Sequence, residues 1–271
     1  MPPPPRSDAT EQRPFDIDYS RMIRTLNEAH YATETSFYTA AGLRGCEERL
    51  WERHGRDARI LDVGCGAGRV TRAVAELGGR ITGVDINTAA IDAARQAAPR
   101  VEYVEASMTC LPMPDDFFDQ VWCLRFSFNA LASDDERLAT IGELWRVCTP
   151  GGMVLVEAFN WHHQGCLGLV RAANLLDLLA RRLHTYGSRG RSVPIPDRDI
   201  LYLANKAAGA APGFAHLTTV RELRMLAERC GLGPHAVVSS EAGLLDGHLT
   251  PVRTRHGAYS MWLVLRKPEE H

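Results

Sequence analysis

A chain of 271 residues suits one large domain with an appendage, and its 45% hydrophobic content can fill a sizeable core. Lys and Arg number 31 against 33 Asp and Glu, so the electrostatic case for wrapping duplex nucleic acid is missing. No uncharged apolar run reaches membrane-spanning length, and Met1-Pro2-Pro3-Pro4-Pro5-Arg6 lacks the apolar stretch of a secretion signal. Seven cysteines, none in a Cys-x-x-Cys pair, argue against structural zinc and a disulfide framework. The expectation is a cytoplasmic protein with no resident metal and no membrane association.

Residues 1–14 are Pro-rich and polar, and are expected to form a disordered tail. Residues 15–55 read as an N-terminal helical cap, with Met22, Ile23, Leu26 and Ala29 on one face. From about 56 to 159, short apolar runs alternate with amphipathic helices. Ile60–Val63 is a strand candidate, and Val70, Ala73, Val74 and Leu77 follow at helical spacing until Gly78-Gly79. Arg80–Val84 is a second strand, a helix runs from Thr88 to before Pro99, and Val101–Val104 and Phe118–Leu124 are further strands. Ser133-Asp134-Asp135-Glu136 reads as a capping box opening the next helix, and Pro150-Gly151-Gly152 turns the chain into a fifth strand, Met153–Val156. Strands alternating with helices make βαβ units and a parallel sheet covered on both faces, a doubly wound α/β fold.

The rhythm breaks over residues 160–216, an insert after strand 5. It carries seven basic against three acidic side chains, a helical section, a Gly/Pro loop, and a short helical run at Ile200–Ala208. Residues 217–271 resume the alternation with a helix from Thr218 to Cys230, a strand near His235–Val238 and a last strand, Tyr259–Leu265, completing the core sheet.

The chemistry concentrates at Leu61-Asp62-Val63-Gly64-Cys65-Gly66-Ala67-Gly68, between the first strand and its helix. Glycines there let bare main chain turn sharply and approach a ligand, and the helix N-terminus adds free N–H donors. Asp85 ends the second strand, where a carboxylate can accept both hydroxyls of an adenosine ribose.

With these motifs the sequence resembles the class I S-adenosylmethionine-dependent methyltransferases, closely over residues 57–158. The turn is Gly-x-Gly-x-Gly preceded by Asp62; Gly83-Val84-Asp85-Ile86-Asn87, Phe118-Asp119-Gln120-Val121-Trp122 and the segment from Glu143 to Gly152 match later family motifs in order. The resemblance implies a Rossmann-like seven-stranded sheet whose last strand is antiparallel, and S-adenosyl-L-methionine as cofactor. By the same resemblance Gly64, Cys65 and Gly66 line the methionine moiety, Asp85 holds the ribose, and Ile86 packs on adenine. Ser107 and Met108 border adenine, while Leu124 and Arg125 border the methionine end, with the Leu124 carbonyl as acceptor for its ammonium.

Methyl transfer to carbon, nitrogen or oxygen needs alignment first, and a general base for hydroxyl acceptors. His162 and His163, just past the fifth strand, are the candidate bases. Tyr19, Tyr31, Asn129 and Trp161 are the candidate acceptor contacts, and Arg181, Arg182, Arg189, Arg191 and Arg198 are expected to attract an anionic acceptor group. The expected function is methylation of a small molecule, a specialised natural-product metabolite, by a monomer or homodimer without nucleic acid. The alternatives are a nicotinamide oxidoreductase, which calls for glycine where Arg69 stands, and a non-catalytic cofactor-binding partner protein.

Overall fold

The computed structural model describes residues 19–40, 42–163, 176, 198–202, 213–246, 249, 251–252 and 258–269, with backbone alone for Tyr19, residues 31–40 and Tyr202. The expected tail at 1–14 and most of the 160–216 insert lie outside the described residues.

Seven strands form one sheet: β1 (Arg59–Val63), β2 (Arg80–Asp85), β3 (Glu102–Glu105), β4 (Phe118–Cys123), β5 (Cys148–Phe159), β8 (Ala236–Ser239) and β9 (Ser260–Arg266). Their order is β3-β2-β1-β4-β5-β9-β8, parallel from β3 to β5, with β9 antiparallel to both its neighbours. The doubly wound sheet with an antiparallel last strand is therefore present. The order reverses between β1 and β4, which opens a crevice beyond their C-terminal ends, where such sheets bind ligands.

Helices α3 (Arg69–Glu76), α4 (Thr88–Ala97), α5 (Asp134–Val147) and α6 (Val220–Arg229) cover the sheet, with short α2 (Gly45–Leu50) and α7 (Glu241–Leu245). Alternation along the strands divides the core. Leu61, Val63, Val121, Val154 and Leu263 meet Ile141, Leu144 and Leu223 on one face. Ile60, Ile81, Trp122, Leu155 and Trp262 meet Leu50, Val70, Val74 and Leu244 on the other. The capping box forms as expected. Ser133 Oγ accepts the Glu136 N–H at 3.2 Å and Glu136 Oε2 accepts the Ser133 N–H at 3.3 Å, a cap worth about 1 kcal/mol.

Two expectations need correction. The helical reading around Ile200 fails: β6 (Asp199–Tyr202) pairs antiparallel with β7 (Gly213–His216) in a separate two-stranded sheet. Ile200 packs with Ala215 and Leu217 while Leu201 packs with Phe214 and Ile23, a two-residue alternation that suits a strand between two layers. The N-terminal helical stretch is also broken. α1 (Tyr19–Ala40) ends before Gly42, and α2 runs on as a wider helical turn through Gly55. No described helix is long and apolar enough to cross a membrane.

Candidate active site

The turn after β1 is built for close approach. The Gly64 and Cys65 N–H groups both donate to the Val84 carbonyl, at 2.8 and 3.0 Å, clamping the turn to the end of β2. Gly64 has φ +76°, and a Cβ there would stand 2.4 Å from Ser127 Cβ and 2.5 Å from Ser127 Oγ. Gly68 caps α3 at φ +77°, where a Cβ would meet the Tyr103 hydroxyl at 2.7 Å. Glycine is needed at both positions for conformation and for space.

Asp85 is fixed by main chain. Its Oδ2 accepts the Gly66 N–H at 2.8 Å and its Oδ1 accepts the Asn87 N–H at 2.9 Å. Burial pushes its pKa up, against the pull of hydrogen bonds from Asn87, Gly66 and Ile86. These three main-chain N–H groups meet four lone pairs, so the carboxylate keeps acceptor capacity for a hydroxyl. Asp62 lies behind the turn, accepting from Thr71 Oγ1 at 2.6 Å, and burial pushes its carboxyl up to about 6. Burial likewise raises the Cys65 thiol well above its ordinary range, so Cys65 is a small filling residue rather than a nucleophile.

The exit from β4 forms the opposite wall. Arg125 and Phe126 are consecutive left-handed residues, φ 53° and 65°. The Arg125 N–H donates to Glu157 Oε2 at 2.8 Å, and the Phe126 ring stacks on Phe159 with centroids 3.6 Å apart. Ser127 Oγ lies 3.0 Å from both the Gly64 and the Leu124 carbonyl. One hydroxyl proton serves two carbonyls, which leaves an electron-rich corner between the two loops.

These walls enclose a cavity of about 340 Å³. Gly64, Cys65, Gly66, Asp85, Ile86, Ser107, Met108, Leu124 and Arg125 all line it, so the structure brings together every residue singled out on the cofactor side. Ser107 Oγ is already engaged with the Thr109 hydroxyl at 2.8 Å. α1 roofs the cavity with Ile23, Arg24, Asn27 and Glu28. Asn27 clips the roof on: its Nδ2 donates to the Ala130 carbonyl at 3.1 Å and its Oδ1 accepts the Phe214 N–H at 3.2 Å. Arg24 reaches Glu136 at 3.3 Å.

The acceptor-side expectations fare differently. Asn129 is buried and does not line the cavity. Its Oδ1 accepts the Phe159 N–H at 3.0 Å and its Nδ2 donates to the His216 carbonyl, so its amide is committed to joining β5 and β7. Trp161 packs against the Ile200–Ala215–Leu217 cluster instead. His162 and His163 also lie outside the lining. The His162 N–H donates to Asn160 Oδ1 at 2.9 Å, and the His163 ring meets Tyr259 edge-on at 5.3 Å. Tyr19 and Tyr31 fall on α1, but their side chains lie outside the described residues. Arg181, Arg182, Arg189 and Arg191 lie outside them too, and Arg198 pairs with Glu222.

Sequence reasoning missed Ser127, Glu157, Asn27 and a buried charge cluster. In that cluster His216 Nδ1 faces Asp199 Oδ1 at 2.5 Å and its Nε2 faces Glu222 Oε1 at 2.7 Å. The two carboxylates raise the His216 pKa against the opposing effect of burial. Glu157, a lone acid in the apolar run Val154–Ala158, was the one signal visible in the sequence.

The glycine turn, the carboxylate on the neighbouring strand and the crevice between β1 and β4 define a domain of the class that binds adenosine-containing cofactors. Residues 60–152 match the family model described as a methyltransferase domain. A ubiquinone/menaquinone biosynthesis C-methyltransferase from Pectobacterium carotovorum is 33% identical over 129 residues, 41% of this chain and 49% of that protein. A ubiquinone biosynthesis O-methyltransferase from Pseudomonas fluorescens is 29% identical over 54% of this chain and 67% of that protein. The chain thus spans about half the length of the first of these. A crystal structure of an S-adenosylmethionine-dependent methyltransferase from Methanosarcina mazei shares the fold, with TM-score 0.57, 22% identity, and coverage of 85% of this chain and 100% of that one. Residues 60–152 are thus similar to a methyltransferase domain, and the fold around them is one that S-adenosylmethionine-dependent methyltransferases share.

Proposed function

We propose that this chain is an enzyme that moves a methyl group from S-adenosylmethionine to a small-molecule acceptor, a specialised metabolite. The observation that carries the reading is the single cavity in which the bare turn at Gly64–Gly66, the Asp85 carboxylate and the carbonyl pair at Ser127 converge. The residues fit the cofactor. The proton-poor carbonyl corner suits its ammonium, the remaining Asp85 acceptor capacity suits a ribose hydroxyl, and Ile86, an apolar side chain 45% exposed at the cavity edge, suits a flat base. Ser107 and Met108 would border that base, and Leu124 and Arg125 the amino-acid end.

When bound, the cofactor supplies a methyl carbon on a sulfonium that is already a good leaving group. The chain's own contribution is then alignment and exclusion of water, which can be worth about 7–11 kcal/mol. The Gly64–Cys65–Gly66 turn and the Leu124–Arg125 exit fix one end, and Asp85 fixes the middle. The α1 roof, held by Asn27, covers the cavity. No imidazole among the described residues lines it, so the reading assigns no catalytic base to His162 or His163. The two ubiquinone-pathway relatives, named for C- and O-methylation, support a small organic acceptor while differing in the atom methylated. The nicotinamide alternative wants glycine at Arg69, whose guanidinium is instead buried in a bidentate pair with Glu47.

Calorimetry tests the proposal. S-adenosylhomocysteine should bind the purified chain and NAD should not. Asp85→Ala should weaken that binding by about 1.5–3 kcal/mol, the scale of hydrogen bonds to a charged group. Tight NAD binding, or an unchanged affinity in the variant, would overturn it.

A further inference from the structure

Four side chains of alternating charge run without a gap from the start of α3 to β5. Arg69 pairs with Glu47 through two bonds, 2.6 and 2.7 Å. Glu47 takes the Arg44 Nε at 2.8 Å, and Arg44 pairs with Glu157 at 2.8 and 3.2 Å. The Glu47 and Glu157 side chains are wholly buried, and the Arg69 side chain is 7% exposed. Buried charges persist only when paired and hydrogen-bonded, and this chain meets that condition at every link.

Both ends of the chain reach the walls of the cavity. Arg69 opens α3 directly after the glycine turn and itself lines the cavity. At the other end, Glu157 Oε2 receives the Arg44 guanidinium and also the Arg125 N–H, each at 2.8 Å. That N–H belongs to the first of two consecutive left-handed residues, a conformation that residues with a Cβ resist. A carboxylate acceptor makes a stronger bond to a backbone N–H than a neutral one does, and the acceptor oxygen here is shared with a cation.

We propose that Arg44 and Glu157 are positioning residues for the cofactor: their ion pair, between a half-buried guanidinium and a wholly buried carboxylate, holds the Arg125 backbone in its left-handed form, and so holds Leu124 and Arg125 against the methionine end of the cavity. The inference rests on the cofactor reading above. It makes the segment after α1 part of the cofactor cradle, although Arg44 and Glu157 do not line the cavity.

The test is a double-mutant cycle on the full chain, read by calorimetry with S-adenosylhomocysteine. Arg44→Met should lower affinity by about tenfold or more, the effect of losing a charge-assisted contact. Arg125→Gly removes the penalty of the left-handed backbone, because glycine adopts φ 53° freely. In the Arg125→Gly background the same Arg44→Met change should therefore cost less than about threefold, a coupling between the two sites. An equal loss in both backgrounds would mean that Arg44 only supports the fold, and the proposal falls. Should Arg44→Met not fold, Arg44→Lys enters the same cycle; its smaller loss must also vanish beside Arg125→Gly, and its persistence overturns the proposal. Wild-type protein that fails to bind S-adenosylhomocysteine refutes the cofactor reading and this inference with it. Wild-type binding with unaffected variants refutes the inference alone.

Discussion

Gly64→Ala probes the contact between the two loops most directly. The added methyl group meets two separate penalties. Keeping φ at +76° costs a residue with a Cβ about 1–2 kcal/mol. The overlap with Ser127, at 2.4 Å from Cβ and 2.5 Å from Oγ, adds a packing cost of about 1–3 kcal/mol, since the Gly64 turn cannot retreat without breaking the clamp on Val84. Together they amount to about 2–5 kcal/mol of lost stability, slightly offset by the stiffer unfolded chain. Ser127→Gly removes the obstructing atoms and by itself costs about 1 kcal/mol for the lost hydroxyl bonds. The double variant should then be more stable than the sum of the single effects by about 1–3 kcal/mol, the overlap share alone. Urea unfolding of the four proteins measures this, with S-adenosylhomocysteine affinity as the companion readout. Additivity to within about 0.5 kcal/mol would show that the two loops do not touch as described, and the cavity wall built on that contact would go with it.

Asp62→Asn tests the buried acid behind the turn. A carboxyl raised to about 6 in the fold stabilises it below its unfolded value near 3.8, and that contribution is lost as pH rises through 6. The variant should therefore gain on the wild type by about 2 kcal/mol in urea unfolding between pH 4.5 and pH 8, and a difference that stays constant would remove Asp62 as the titrating group. His216→Ala strips the cation from between Asp199 and Glu222 and should cost about 3–5 kcal/mol near pH 6. Because the folded pKa of His216 is raised, its stabilisation is full below the unfolded value and fades as pH climbs through the folded one; the gap between wild type and variant should narrow by pH 9, and a gap that widens would contradict the imidazolium.

The glycine turn beside the cavity was legible because its demands are local. Gly64, Gly66 and Gly68 encode a backbone path within five residues, and Asp85 follows from its place at the end of the adjacent strand. Caps were legible for the same reason: Ser133 and Glu136, three residues apart, satisfy each other. The failures involve residues whose partners lie far along the chain. Asn129 looked like an acceptor contact until the structure showed its amide committed to Phe159 and to His216, 87 residues away. The strand at Asp199–Tyr202 has no helix-breaking neighbour, and only its pairing with Gly213–His216 decides its state.

That contrast explains why the cavity roof stays hidden in the sequence. The roof of the cavity is α1, and Asn27 ties it to the turn after β4 and to β7, bonding across 103 residues to Ala130 and 187 to Phe214. Nothing near Asn27 in the chain distinguishes it from a solvated helix residue. Its bonds exist only after folding has brought β7 and the β4 exit beside α1. The invariant chemistry of a shared cofactor can be written in a short glycine turn. The roof over the cavity is instead a property of packed elements, set by contacts such as those of Asn27 with Ala130 and Phe214.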